Sequence, residues 1–336
     1  MKKIITLVLA LAMAVSLFTG CGKKNNAETG ESDSNKLSVV TTIFPEYDWV
    51  REILGGKAES TDLTMLLDNG VDLHSYQPTA DDIVKISDCD LFIYVGGESD
   101  DWAESVLKNA ANRKMKVINL LEVLGERVKT EEIVEGMQDA DHAHAHDHEH
   151  KHDHGHEEEA DEHVWLSLKN AAVLVGAISN ALQELDPDNK GIYATNAAAY
   201  IEKLSALDSA YQSAVDGAAR KAVLFGDRFP FRYLVDDYGL SYYAAFAGCS
   251  AESEASFETV SFLAKKVDEL KLPCVLTIEG KNHKLAETIV QSTAGKNQKV
   301  LTMDSMQSMT SKDAANGATY LSVMEQNLSV LKEALG

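Results

Sequence analysis

The chain has 336 residues, 45% of them hydrophobic, and its 31 Lys and Arg stand against 53 Asp and Glu for a net charge of −22. That composition is globular, and the length exceeds what one core usually spans, so two domains of ordinary size are expected. The negative charge excludes nucleic acid as a partner, because a phosphate-binding surface has to be basic.

In chain order, Lys2 and Lys3, the apolar run from Ile4 to Phe18 and the small residues before Cys21 are the parts of a secretory signal over residues 1–20. The run is too short for a transmembrane helix, which needs about 20 apolar residues. Thr19-Gly20-Cys21 resembles the lipobox of bacterial lipoproteins, with Phe18 where an aliphatic residue is usual, and implies a lipid on Cys21. Residues 21–36 are polar and rich in Gly, Ser and Asn, as a flexible tether would be.

From Leu37 onward, apolar β-rich runs alternate with helical patterns, the mark of βα units around parallel sheets. Strands are expected at Leu37 to Ile43, Leu63 to Leu67, Leu91 to Val95 and Lys116 to Leu120. Helices are expected at Glu46 to Leu54, Ala80 to Ser87 and Asp101 to Ala111, with Pro45 and Pro78 just ahead of two helix starts. Helical spacing returns from Ser167 to Leu185, Asp186-Pro187-Asp188 interrupts it, and a long helix follows from about Lys190 to Ala219, a rod of about 45 Å. Strands then recur near Ala222 to Phe225, Ser241 to Phe246, Cys274 to Ile278 and Gln298 to Met303. Helices near Phe257 to Leu270, His283 to Ser292 and Ala314 to Leu335 complete the chain. The expected fold class is α/β, with two parallel-sheet lobes (37–186 and 221–336) joined by one long α-helix (187–220). In open sheets of this kind ligands bind at the carboxyl ends of the strands. With Cys21 given to lipid, Cys89, Cys249 and Cys274 are an odd set that allows at most one disulfide and equally suits three small buried residues.

Between the lobes' expected elements, Asp139 to Glu162 reads DADHAHAHDHEHKHDHGHEEEADE, with eight His (His142, His144, His146, His148, His150, His152, His154 and His156), ten carboxylates and no apolar residue larger than Ala. It cannot bury enough surface to offset its ordering entropy, so a disordered loop is expected. Imidazole and carboxylate are ligands for first-row metals, and alternate spacing lets several His reach one ion. Zinc, copper and nickel suit such a loop, whereas calcium and magnesium prefer oxygen. The HExxH match from His148 to His152 falls inside this loop, off any helix that could aim both rings at one ion, which argues against a secreted zinc hydrolase. No enzyme is expected.

Three histidines lie outside the tract. His74 is in Gly70-Val71-Asp72-Leu73-His74-Ser75-Tyr76-Gln77-Pro78, just after an expected strand, and His163 is in Asp161-Glu162-His163-Val164-Trp165-Leu166-Ser167, just before a helix. His283 sits among cations in Lys281-Asn282-His283-Lys284 and is expected to be exposed.

GVDLHSYQPTADDIVKISDCDLFIYVGG and DEHVWLSLKNA resemble the two ligand motifs of the zinc and manganese solute-binding lipoproteins of bacterial ABC importers, known as cluster A-I. The His-rich insert before the second motif is similar to that of the zinc-type members, and the resemblance covers the chain from Leu37 to its end. It implies His74 and His163 as metal ligands. Counting back from Tyr238-Gly239-Leu240, Arg228 occupies the place of the family's third His, and a guanidinium cannot bind a cation. Asp227 and Glu279 are the available replacements, each also suited to pairing with Arg228 or Arg232, and Asp304 matches the family's last ligand.

The resemblance further implies Zn2+ as cargo, with Mn2+ as the alternative, a monomer held to the outer face of the cytoplasmic membrane or its periplasmic side, and delivery to an ABC permease and its ATPase. A site of two imidazoles and one or two carboxylates in the cleft would hold zinc, and the tract would raise its local concentration. The remaining alternative is a zinc buffer or adhesion lipoprotein in which the tract is the working part.

Overall fold

β1 (Ser38–Thr41) places Val39 and Val40 fully inside, as a central parallel strand covered on both faces requires. It pairs in parallel with β2 (Asp62–Met65) and β3 (Leu91–Tyr94), and β4 (Lys116–Asn119) joins β3, giving the order β2-β1-β3-β4. The computed structural model describes residues 36–138, 159–250, 254–280 and 282–336; the signal segment, Cys21, nearly all of the tether and the histidines from His142 to His156 lie outside them. The crossover helices follow local rules. α1 (Phe44–Leu54) opens on Pro45, and the Glu46 carboxylate accepts the amides of Thr42 at 2.8 Å and Ile43 at 3.3 Å. α2 (Ala80–Asp88) is closed at its start by a Thr79–Asp82 capping box. α3 (Trp102–Lys108) and a short α4 (Leu120–Leu124), not expected from the sequence, complete the lobe.

Ser167 caps α5 (Leu168–Leu185), and α6 (Lys190–Gly217) follows. At 28 residues α6 is about 42 Å long. Its buried residues Tyr193, Ala197, Tyr200, Leu204, Leu207, Tyr211 and Val215 recur every three or four positions, a single apolar stripe down one face. The second sheet repeats the order of the first: β5 (Ala222–Phe229), β6 (Ser241–Ala247), β7 (Cys274–Thr277) and β8 (Lys299–Thr302) lie as β6-β5-β7-β8, all parallel.

Two departures from expectation have local causes. β5 continues past Phe225 to Phe229 through a register shift between Phe225 and Arg228, and α7 (Arg232–Tyr238) forms directly after Pro230 and stops at Gly239 in the left-handed region (φ 66°). α8 (Phe257–Leu270) and α9 (Lys284–Ser292) fall where expected. The helix expected from Ala314 to Leu335 is instead two, α10 (Ser311–Ala315) and α11 (Tyr320–Leu335), because Thr319 and Ser322 form a fresh capping box after the turn at Asn316 and Gly317. Cys89, Cys249 and Cys274 are all free thiols, with Cys89 and Cys274 buried.

The two sheets share one core. A continuous apolar cluster runs from Val39 to Leu335, and a smaller one, including Leu263, Val267, Ala286 and Ile289, fills the far side of the second sheet under α8 and α9. The join is made by buried aromatic residues. Trp165 Nε1 donates to the Ser305 carbonyl at 2.8 Å, the Trp165 carbonyl accepts from Tyr320 Oη at 2.6 Å, and the Tyr320 ring meets Trp49 edge-on at 5.2 Å.

The backbone amide of Tyr320 donates to buried Asp48 at 2.8 Å, tying α11 to α1. Burial raises the Asp48 pKa to about 6, with Glu52 adding to the rise and the Tyr320 amide and Arg51 opposing it. Because this folded value exceeds the unfolded one, the folded chain binds more protons between about pH 4 and 6, and stability falls as pH rises through that window. Asp48→Asn keeps an acceptor for Tyr320 and removes the charge. Thermal melts should show the variant more stable at pH 7 by on the order of 1 kcal/mol, or about 2 °C, with the gain shrinking toward pH 4.

Candidate metal centre

His74 lies on a 3-10 turn, Leu73–Ser75, in the loop between β2 and α2. Fully buried Leu73 pins the turn, and the Asp72 carboxylate caps it by accepting the His74 amide at 3.0 Å. His163 immediately precedes a second such turn, Val164–Leu166, whose residues are all fully buried. Asp161 accepts both the His163 amide and its Nδ1, each at 2.9 Å.

These two turns bring the rings together, with Nε2 of His74 3.2 Å from Nε2 of His163. The Nδ1 atoms point outward to fixed partners: that of His163 to Asp161, and that of His74 to Ser99 Oγ at 2.8 Å and Glu162 Oε2 at 3.4 Å. Carboxylates at Nδ1 favour the tautomer that leaves the Nε2 lone pair available. Tetrahedral zinc, with Zn–N bonds of about 2.0–2.1 Å, separates two ligand nitrogens by about 3.3–3.4 Å. The observed spacing is that of two corners of such a tetrahedron. An ion bound by both Nε2 atoms would replace the contact that joins the rings.

The surroundings are built for this approach. Gly97, at φ +81°, lets Ser99 donate its amide to Glu162 at 2.9 Å; a Cβ on Gly97 would lie 2.3 Å from Glu162 Oε1. Burial pushes the Glu162 carboxyl up, but the His74 ring and Ser99 outweigh it and hold it below the usual value. Burial opposes charge on His163, yet Asp161, with Glu162 and Glu131, holds its pKa above that of an ordinary histidine. A cavity of about 240 Å³ opens at the pair, lined by His74, Glu98, Ser99, Glu131, Glu159, Ala160, Glu162 and Cys249. Among the described residues, His74, His163 and Cys249 form a cluster whose ligand atoms all lie within 4.8 Å of one another.

Among the described residues, the cluster at the ring pair does not include Asp227, Glu279 or Asp304, the carboxylates expected beside it. Asp227 accepts the amides of Arg228 at 2.9 Å and Ile278 at 3.3 Å, bracing β5 against β7. Glu279 takes both the amide and hydroxyl of Ser305, at 2.7 and 2.6 Å. Asp304 accepts the Met306 amide at 2.7 Å and lines, with Glu279 and Asp313, a separate cavity of about 420 Å³. Burial and Glu279 raise the Asp304 pKa to about 6. His283, expected exposed, is half-buried, and its Nδ1 has no hydrogen-bond partner. Arg228 is a strut: its Nη2 lies 2.6 Å from Asp72 Oδ2, binding the second lobe to the turn that carries His74. Asp68, earlier in that loop, is tied to the second lobe as well, by the amide and hydroxyl of Ser311 at 2.5 and 2.7 Å. Sequence reasoning passed over Cys249, Asp161, Glu162 and Ser99 as parts of the site. Cys249 had one usable signal, its place two residues after a strand end.

Twin parallel sheets and a long helix between them, with a histidine pair on two buried turns, set the chain beside two-lobed solute-binding proteins. Residues 39–334 match the model of the ZnuA family, described as zinc-uptake complex component A periplasmic, and the chain belongs to that family. It is 30% identical over 328 residues to the high-affinity zinc uptake system protein ZnuA of Bacillus subtilis, covering 98% of this chain and 97% of that one. It is 32% identical over 333 residues to the zinc-binding lipoprotein AdcA of Streptococcus pneumoniae, of whose length it spans 61%. The fold is similar to the Zn(II)-bound ZnuA-like domain of Streptococcus pneumoniae AdcA, with TM-score 0.67 and 30% identity over 89% of this chain and 99% of that one. It is equally similar to the metal-dependent lipoprotein YcdH of Bacillus subtilis, with TM-score 0.69 and 28% identity over 89% and 99% of the two chains.

Arg228→Ala would leave the Asp72 carboxylate without its cation and free one end of the His74 turn. The expected results are a loss of about 1 kcal/mol in denaturant unfolding and faster amide exchange over residues 72–76, with exchange in α6 unchanged.

Proposed function

We propose that this protein captures a zinc ion outside the cytoplasm and delivers it to an ABC permease driven by its ATPase. The observation that carries the reading is the 3.2 Å approach of the two Nε2 atoms, each ring locked from behind by a carboxylate. Two neutral imidazoles leave the ion's charge to be balanced by nearby acids, and Glu98, Glu131, Glu159 and Glu162 line the same cavity. Such a site binds through three or fewer protein ligands and keeps positions open, which favours release at a partner. Zinc-uptake and zinc-binding names among the relatives support zinc as the cargo.

The tract from His142 to His156 serves as a collector. Glu159 and Ala160, which follow it in sequence, stand at the cavity, so ions gathered on the tract are released beside the pair at high effective concentration. Cys21 carries the lipid that holds the protein at the outer membrane face, in keeping with the lipoprotein names of its relatives, and the protein acts as a monomer.

His74→Ala and His163→Ala should each weaken the tightest zinc equivalent by on the order of 100-fold or more in chelator competition, and Asp161→Ala by about 10–100-fold. Replacing the eight tract histidines with Asn should leave one tight zinc in place but slow its capture. Loss of all tight zinc from the tract variant would instead make the protein a buffer. Growth of a host on scarce zinc, dependent on His74, separates uptake from hydrolysis.

A further inference from the structure

We propose that Cys249 supplies a thiolate as the third ligand to the cargo ion, so that the centre is His74, His163 and Cys249, with the second lobe contributing sulfur in place of a third imidazole. This rests on the zinc-capture reading above and adds a donor that determines which metals the site accepts.

Distance comes first. The ligand atoms of the three residues lie within 4.8 Å of one another. Tetrahedral zinc with Zn–N of about 2.0–2.1 Å and Zn–S of about 2.3 Å places nitrogen and sulfur about 3.6 Å apart. Closing the remainder takes about 1 Å or less, within the swing of one Cys χ1 rotation.

The backbone around Cys249 is held to permit that approach. Gly248 sits directly against the ligand ring: a Cβ there would lie 2.9 Å from His163 Cε1 and 3.0 Å from the Phe229 carbonyl. The Cys249 amide donates to Glu131 Oε1 at 2.8 Å, a contact between the lobes that fixes the loop beyond β6 over the cavity. Arg228 extends Nη2 to Asp72, the cap of the His74 turn, while its Nη1 approaches the Ser250 carbonyl at 3.5 Å. The residue that stands where the family resemblance expects a third imidazole therefore braces the two loops that bear His74 and Cys249. A cation site that lost a nitrogen donor at Arg228 regains a donor from the next strand.

Glu162 is 2% exposed, and its Oε2 makes no hydrogen bond. Its charge is met by His74 Nδ1, 3.4 Å away, which couples this carboxylate to the proton or metal ion that the His74 ring carries. Of the carboxylates that the family resemblance suggested, Asp227 is bonded to backbone amides, Glu279 to Ser305 and Asp304 to Met306.

Thiolate is a soft donor. It favours zinc and cobalt and gives manganese, a hard ion, little. Cys249 thus makes the site a zinc site despite the loss of one histidine.

The test uses the full chain with Co2+ as probe, added below one equivalent. The tract contains no cysteine, so a thiolate-to-cobalt charge-transfer band in the near ultraviolet reports sulfur ligation free of the tract. The wild type should show the band and Cys249→Ser should lack it. The same variant should lose about 100-fold or more in zinc affinity while its weak Mn2+ affinity stays within about threefold. Zinc-edge absorption on the wild type at half an equivalent should show one sulfur at about 2.3 Å, a reading that needs no variant to fold. A wild type that binds zinc tightly with only nitrogen and oxygen neighbours would overturn the proposal, as would a folded Cys249→Ser with unchanged zinc affinity. If His74→Ala and His163→Ala also bind zinc as the wild type does, the capture reading itself fails; if they lose it while Cys249→Ser does not, only the thiolate fails.

Discussion

The contact on which the site depends is the buried hydrogen bond from the Trp165 indole to the Ser305 carbonyl, two groups 140 residues apart in sequence. Trp165 lies two residues beyond His163 and ends its turn inside a layer with no access to water. Its N–H can be satisfied only by a partner from the second sheet, and leaving it unpaired would cost about 1–3 kcal/mol. His163 of the first lobe is therefore positioned against the strand-end loops of the second. Tyr320 repeats the link from the other side through the Trp165 carbonyl, and Tyr233 adds a third by donating to the Asp161 carbonyl at 2.7 Å. His163 and the aspartate behind it are held by both halves of the chain.

Around this rigid post the electrostatics are unbalanced. Glu98 is pushed above the usual carboxylate value chiefly by Glu159, and Asp101, Glu162 and Glu131 add to the push. The guanidinium of Arg228 is spent on the Asp72 carboxylate. A divalent ion entering the cavity relieves repulsion that the folded protein carries without it. This matches the chain's net charge of −22.

Much of this was legible in the sequence. The eight strands of the two sheets fall on the apolar runs that predict them, most plainly the central β1, β3, β5 and β7, where burial on both faces leaves an unbroken signal. His74 and His163 stand out as isolated imidazoles beside strand and helix ends. α4 is of five residues, too short to show a helical period, and α7, of seven, is not marked in the sequence. Cys249 was read with the other cysteines as a candidate for a bridge or a core. Nothing in its spacing joins it to His163, and only the folding of β6 beside β5 places it there. Asp227 and Glu279 are expected as replacements for the imidazole that Arg228 displaces, and Asp304 as the match to the family's last ligand. Strand ends expose backbone amides, and all three satisfy such amides.

The shared core also has a thermodynamic meaning. The stripe along α6 and the aromatic residues around Trp165 belong to one apolar cluster, so neither lobe has a complete interior of its own. Unfolding one would expose apolar surface of the other, which couples the melting of the two lobes. An ion bound at the ring pair then stabilises the whole molecule by RT ln(1 + [L]/Kd), about 4 kcal/mol at a thousandfold excess over Kd. Zinc supply outside the cell would thereby set the lifetime of the protein against proteolysis, with the empty form cleared faster than the loaded one.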